Sequence, residues 1–196
     1  GEWKSVDEVT RICLQDRVFY EGSGGGVTLS GGEPMMQADF AAELLHRLKQ
    51  EGISTAIETT GFAPASVFHR LMPDIDLYLF DCKQYDCQKH LAATGVPNDQ
   101  ILQNLKTALQ AGKDVIVRIP VIPGVNSSLE DAEGFCAVLR PLGAKRINLL
   151  PFHQFGERKY DFLNRNYQLR GISALHESDL TAFRDIFVKN GFDCYF

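Results

Sequence analysis

No stretch of this 196-residue chain approaches the run of about 18 apolar residues that a membrane helix needs. Its first residues, Gly1-Glu2-Trp3-Lys4, hold neither a start methionine nor an apolar signal region, so the natural beginning is expected to be missing. A cytoplasmic location follows as an expectation, with no membrane contact. Basic residues are not in excess: 20 Lys and Arg stand against 25 Asp and Glu, a formal net charge of -5, with no basic stripe. That argues against a nucleic-acid surface, which must neutralise phosphates, and favours a protein or small-molecule partner. Low-complexity linkers, tandem repeats and an obvious domain boundary are also lacking. At 44% hydrophobic and 23% charged residues the composition is that of a globular protein, and residues 1–196 read as one domain with one sizeable core.

Cysteine pairing is lacking too. The five cysteines, Cys13, Cys82, Cys87, Cys136 and Cys194, are odd in number and widely spaced. Cys82 and Cys87 have four residues between them, with no second close pair of the kind a zinc or iron-sulfur site requires. Free thiols in a reducing compartment are expected.

What is present is a rhythm. Val27-Thr28-Leu29-Ser30 and residues 53–58, 76–81, 114–119 and 146–150 are short β-branched or apolar runs, each followed by an amphipathic stretch. Strand, helix, strand at this spacing predicts parallel pairing with helical crossovers. Residues 37–51 carry Phe40, Ala41, Leu44, Leu45 and Leu48 at helical spacing, with Gly52 at the stop. Leu102, Leu105, Ala108 and Leu109 before Gly112 read the same way. Residues 5–20, 128–139 and 178–189 are further predicted helices, the last capped by Ser178 with Asp179 and stopped at Gly191. Five parallel strands suit an open doubly wound sheet or a barrel. Polar residues gather at strand ends: Ser30 and Glu33, then Glu58, which shares a face with Ser54 and Ala56. Asp81 and Lys83 share a face with Leu77 and Leu79; Arg118 and His153 complete the set. Convergence at several C-terminal strand ends favours the barrel.

The most specific segment is Gly24-Gly25-Gly26-Val27-Thr28-Leu29-Ser30-Gly31-Gly32-Glu33-Pro34. A glycine lead-in, a strand and a second glycine pair let a ligand approach bare backbone, followed by a carboxylate and a proline. A turn without a ligand remains open at this point. A dinucleotide loop does not fit the spacing, and no P-loop lysine follows.

Ser30-Gly31-Gly32-Glu33-Pro34 closely resembles the GGE segment of radical S-adenosylmethionine (SAM) enzymes, and further segments follow in order. Glu58-Thr59-Thr60-Gly61, Phe80-Asp81-Cys82-Lys83-Gln84, Val117-Arg118-Ile119-Pro120 to Pro123-Gly124, and Leu149-Leu150-Pro151-Phe152-His153 resemble segments of pyruvate formate-lyase activating enzyme. The chain thus resembles the glycyl radical enzyme activating enzymes over nearly its whole length. That resemblance implies an α/β fold, a partial (β/α) TIM-like barrel of the radical SAM type, with its first strand missing. It implies that Gly31, Gly32 and Glu33, with Ser30 beside them, hold the amino group of S-adenosyl-L-methionine through the backbone. Lys83 and His153 contact its carboxylate and neighbouring atoms, and Arg118 faces the same cavity. A monovalent cation is implied at Glu58, Thr59, Leu79 and Asp81, the Leu79 ligand being its carbonyl. Two residues depart from that relative: Glu58 stands for aspartate, which shifts the carboxylate by a methylene, and Cys82 for leucine, in a packing position.

The cluster motif CxxxCxxC is absent. The resemblance therefore implies the C-terminal part of a longer enzyme, whose [4Fe-4S] cluster, and additional clusters of a ferredoxin-like insert, belong to the missing region. Its parent would reductively cleave SAM to a 5'-deoxyadenosyl radical that abstracts hydrogen from a backbone glycine of a partner glycyl radical enzyme such as pyruvate formate-lyase. Flavodoxin or ferredoxin would donate the electron. Residues 154–176, including Phe155, Arg158, Lys159, Tyr160, Phe162, Arg165 and Tyr167, could form a docking surface for that partner or simply close the barrel. Singly, Asp81 with Lys83 could be a local ion pair and His153 a loop histidine. Two other classes stand beside this reading: a cluster-free barrel lyase or aldolase using Lys83 as a Schiff-base nucleophile, and a non-catalytic binding module.

Overall fold

The computed structural model describes residues 2–154, 162, 164, 166, 167 and 169–196. Helices α1 (Val6–Leu14), α2 (Arg17–Ser23), α3 (Ala38–Gln50), α4 (Ala65–Leu71), α5 (Cys87–Thr94), α6 (Asp99–Gln110), α7 (Leu129–Leu142) and α8 (Thr181–Lys189) alternate with six strands. The strands are β1 (Gly26–Leu29), β2 (Ser54–Thr59), β3 (Leu77–Asp81), β4 (Asp114–Val121), β5 (Arg146–Pro151) and β6 (Asp193–Tyr195). They follow one another in the sheet in chain order. β1 with β2, β2 with β3, and β5 with β6 are parallel pairs. A doubly wound sheet would reverse its order at a switch point, and this one does not. The α/β fold with sequential parallel strands and outer helices is the one the rhythm predicts.

The chain divides into two compact units, Gly1–Asp81 with Asn98–Val117, and Cys82–Pro97 with Arg118–Phe196. In the first, every second residue of β2 and β3 is buried: Thr55, Ile57 and Thr59, then Tyr78 and Phe80. The period-two pattern turns one strand face into the core and leaves Ala56, Glu58, Leu77, Leu79 and Asp81 half-buried on the other. Leu44, Leu45 and Leu48 of α3 and Ile101, Leu105 and Ala108 of α6 are buried residues of the same core. Tyr78 stacks on Phe68, with ring centroids 5.6 Å apart, and burial pushes its phenol above the ordinary range. Its hydroxyl is buried without a hydrogen-bond partner. Tyr78→Phe should therefore raise stability by about 1 kcal/mol, read from the urea midpoint; an unchanged midpoint would show that water reaches the hydroxyl.

In the second unit Val121, Phe135, Leu139, Ile147, Leu149, Phe183 and Phe187 are buried core residues. Gly134 of α7 makes room for the Tyr85 ring, since a Cβ there would lie 2.2 Å from Cζ. Ser128 caps α7 by a reciprocal box with Asp131. Burial opposes ionisation of Asp131, yet hydrogen bonds from Ser128 and Lys89 hold its carboxyl below the usual range. Lys89 Nζ stands 3.1 Å away.

Several elements differ from expectation. Residues 5–20, read as one helix, form two that part at Gln15 and Asp16; Arg17, at the start of the second, donates to the Glu51 carboxylate at 2.6 Å and to its carbonyl at 3.0 Å. That guanidinium satisfies the carboxyl end of α3. The cap lies at His176, whose N–H donates to Asp179, rather than at Ser178, and it heads a 3-10 turn, the last helix itself having no side-chain cap. That short turn leads into α8. β4 runs past Arg118 to Val121. β6, α4 and α5 were not anticipated, being short segments with little periodicity.

Candidate functional site

In the first unit the glycine segment leaves the end of β1. The register Leu29↔Ile57 puts Ser30 beside Glu58, and the Ser30 hydroxyl donates to Glu58 Oε2 at 2.5 Å. Glu58 stands opposite Leu79, and Asp81 lies two residues further on the same face. Ser30, Glu58, Leu79 and Asp81 thus meet at the carboxyl ends of β1 to β3. Of the four positions the resemblance assigns to a monovalent cation, three share this face. Thr59, next along β2, is buried on the opposite one.

That opposite side holds Glu33. Its Oε1 accepts from the Thr59 hydroxyl at 2.7 Å and the Met35 N–H at 3.2 Å. Its Oε2 accepts from the Thr60 N–H at 2.9 Å and the Thr60 hydroxyl at 2.8 Å. Thr59 Oγ1 in turn accepts from the Gly61 N–H at 2.9 Å. The Glu33 side chain is therefore turned onto the end of β2. Gly31 and Gly32 remain exposed, and a Cβ on either would meet nothing within 4 Å. Gly31 has φ +124°, a conformation that favours glycine. The segment offers bare, approachable backbone beside a hydroxyl and a carboxylate.

The turn after β2 is itself held from below. Asn104 Nδ2 donates to the carbonyls of Gly61 and Ala63, each at 2.9 Å, and Gln100 donates to Ala63 at 2.7 Å. Neither Thr60 nor Asn104 was selected from the sequence. Asn104 carried a signal: with Ile101, Leu105 and Ala108 it occupies a core position of α6, and a polar residue there must have fixed partners.

In the second unit the Cys82 N–H donates to the Arg118 carbonyl at 2.8 Å. This places Lys83 immediately after a strand-like link to β4. Lys83 and Arg118 are half-buried, while His153, two residues beyond β5, is exposed. The carbonyl of Lys83 accepts from Asn126 Nδ2 at 2.8 Å. Asn126 also donates to Pro120 at 2.9 Å and accepts from the Ile122 N–H at 2.7 Å. Gln84 donates to Val125 at 3.1 Å, so two amide side chains tie the turn after β3 to the turn after β4. Asn126 was also missed; its only signal was its place just after Pro123-Gly124. Of the expected docking residues, Phe162 is exposed and Tyr167 buried. Phe155, Arg158, Lys159, Tyr160 and Arg165 lie outside the described residues.

The cysteines do not fit an iron-sulfur cluster. Cys82 and Cys136 are buried, and among the described residues no three His, Cys, Asp or Glu side chains gather as a metal site. Burial pushes the thiols of Cys136 and Cys194 up to about 11 and about 12. The bare backbone and flanking oxygens of the glycine segment, by contrast, suit the ammonium of an amino-acid ligand such as the methionine end of SAM.

The sequence model of the Radical SAM superfamily matches residues 1–136. A choline trimethylamine-lyase activating enzyme of Oleidesulfovibrio alaskensis is 44% identical over 184 residues, 92% of this chain and 59% of that protein. A pyruvate formate-lyase 2-activating enzyme of Escherichia coli is 40% identical over 95% of this chain and 64% of its own length. The chain thus spans about 60% of the curated relatives it matches. A crystallised domain of a pyruvate-formate lyase-activating enzyme from Bacteroides vulgatus superposes with a TM-score of 0.72 at 29% identity, covering 87% of this chain and 98% of that one. Family match, identity and strand order agree: the chain belongs to the radical SAM superfamily and, within it, to the glycyl radical enzyme activating enzymes.

Proposed function

We propose that this chain supplies the S-adenosylmethionine-binding part of an activase that installs a radical on a glycine of a partner enzyme. The observation that carries the reading is the open Gly31–Gly32 backbone beside the Ser30–Glu58 pair. Backbone carbonyls and the Ser30 and Glu58 oxygens receive the ammonium of the ligand. Bare glycine lets them approach, because no Cβ stands in the way. Within the second unit, Lys83, Arg118 and His153 are the side chains that the resemblance assigns to the ligand's carboxylate and neighbouring atoms. When bound and reduced, SAM supplies a 5'-deoxyadenosyl radical, the agent for removing a glycine hydrogen. The reducing cluster is not held by the cysteines described here, and its electron would come from a flavodoxin or ferredoxin. The partner belongs to the glycyl radical enzymes, as the names of the relatives suggest. Which one is served varies among those relatives, whose named targets include choline trimethylamine-lyase and pyruvate formate-lyase 2.

Calorimetric titration of the chain with SAM tests the reading. Saturable binding below millimolar ligand is expected, weakened about tenfold by Ser30→Ala with loss of one charge-assisted contact. Absence of heat at millimolar SAM would remove the pocket from this chain.

A further inference from the structure

We propose that Glu33 is a positioning residue, a latch that fastens the glycine segment to the end of β2 through Thr59 and Thr60, and that its carboxylate does not itself take the ligand's ammonium. The inference rests on the reading that this segment receives the amino-acid end of SAM.

The first support is a valence count. An ionised carboxylate offers about four lone-pair sites, and four donors occupy Glu33: the hydroxyls of Thr59 and Thr60 and the N–H groups of Thr60 and Met35. Each oxygen carries two of them. Its acceptor capacity is used within the protein.

The second support is the difference between the two things it joins. The end of β2 is a fixed post: Thr59 is buried, Asn104 and Gln100 hold the turn from beneath, and Gly61 lies against the Phe80 ring. The Gly31–Gly32 backbone is exposed and carries no side chain to pack. Glycine loses more conformational freedom on ordering than any other residue, so such a segment keeps one geometry only when tied from outside. The ties run through the Ser30 hydroxyl on one side of β2 and the Glu33 carboxylate on the other. Glu33 also caps the following 3-10 turn at Met35, which sets where the backbone turns away from the strand end.

Glu33→Gln and Thr60→Val test the latch from its two halves. Glutamine keeps the size but loses one acceptor oxygen; valine keeps the backbone N–H and removes a hydroxyl. Amide hydrogen exchange is measured on the ligand-free chain, and affinities are measured for SAM and for 5'-methylthioadenosine, which lacks the amino-acid end. In Glu33→Gln, exchange at Met35 and Thr60 should rise about tenfold while Ile57 and Phe80 keep their wild-type rates. SAM affinity should fall about tenfold with 5'-methylthioadenosine unchanged, and Thr60→Val should move both readouts the same way. Unchanged exchange at Met35 and Thr60 overturns the latch. So does a Thr60→Val chain with full SAM affinity beside a weakened Glu33→Gln, because that pattern belongs to direct ammonium binding. If the wild-type chain shows no preference for SAM over 5'-methylthioadenosine, the functional reading fails instead, and the exchange rates alone decide the latch.

Discussion

Replacing Gly61 by alanine should cost the chain about 3 kcal/mol of stability and abolish ordered ligand binding at the glycine segment. Gly61 has φ +69° and is buried. A left-handed conformation costs an L-residue about 1–2 kcal/mol. The new Cβ would also sit 2.2 Å from Cζ and 2.8 Å from Cε2 of Phe80. Phe80 is fully buried, so its ring has no free space to swing into, and overpacking of this kind costs about 1–3 kcal/mol. The same turn supplies the N–H that orients Thr59 toward Glu33, so displacement there spreads to the glycine segment. Urea unfolding and SAM titration of Gly61→Ala check both effects. A variant with wild-type midpoint and affinity would mean that the turn is not the rigid post described.

Asn126→Ala should cost a similar amount, about 3 kcal/mol, for a different reason. Asn126 is fully buried, and its amide makes three hydrogen bonds, one accepted from the Ile122 N–H and two donated to the carbonyls of Lys83 and Pro120. Without it the Ile122 N–H and the carbonyls of Lys83 and Pro120, all on half-buried residues, lose these partners. An orphaned buried group costs about 1–3 kcal/mol, and relaxation recovers part of the sum. Because one of those carbonyls belongs to Lys83, the lysine should lose its fixed backbone, and SAM affinity should weaken alongside stability. Glu130→Ala, an exposed change in the first turn of α7, serves as the control and should stay within about 0.5 kcal/mol of wild type. Equal midpoints for the two variants would show that the turns after β3 and β4 close without Asn126.

The alternation in β2 and β3 was legible before any coordinates, since a two-residue period needs only the residue order. Ser54, Ala56 and Glu58 do share one face, as do Leu77, Leu79 and Asp81. Gly52, Gly112 and Gly191 end their helices with positive φ, as the stop positions predicted. The break at Gln15–Asp16 was not legible in the residue order, nor was the contact of Arg17 with Glu51, thirty-four positions away. β6 was missed because three residues carry no period and gain strand geometry only from their pairing with β5.

The site divides in the same way. Gly31, Gly32, Glu33, Glu58 and Lys83 could be picked out as candidates from the residue order, because bare backbone, carboxylate and lysine at strand ends are local features of the chain. What each does could not. The resemblance gave Glu33 a ligand role through its backbone and said nothing of its carboxylate, which meets two threonines more than twenty-five positions later. Asn104 and Asn126 looked like helix and loop polars until their partners came into reach. By itself the sequence determined the strand-helix order, the faces and the family, all of which depend on residues near one another along the chain. The tertiary structure alone decided which side chains meet at the strand ends and which hold the glycine backbone, because a hydrogen bond is set by distance in space, and pairing of the strands brings remote residues within it.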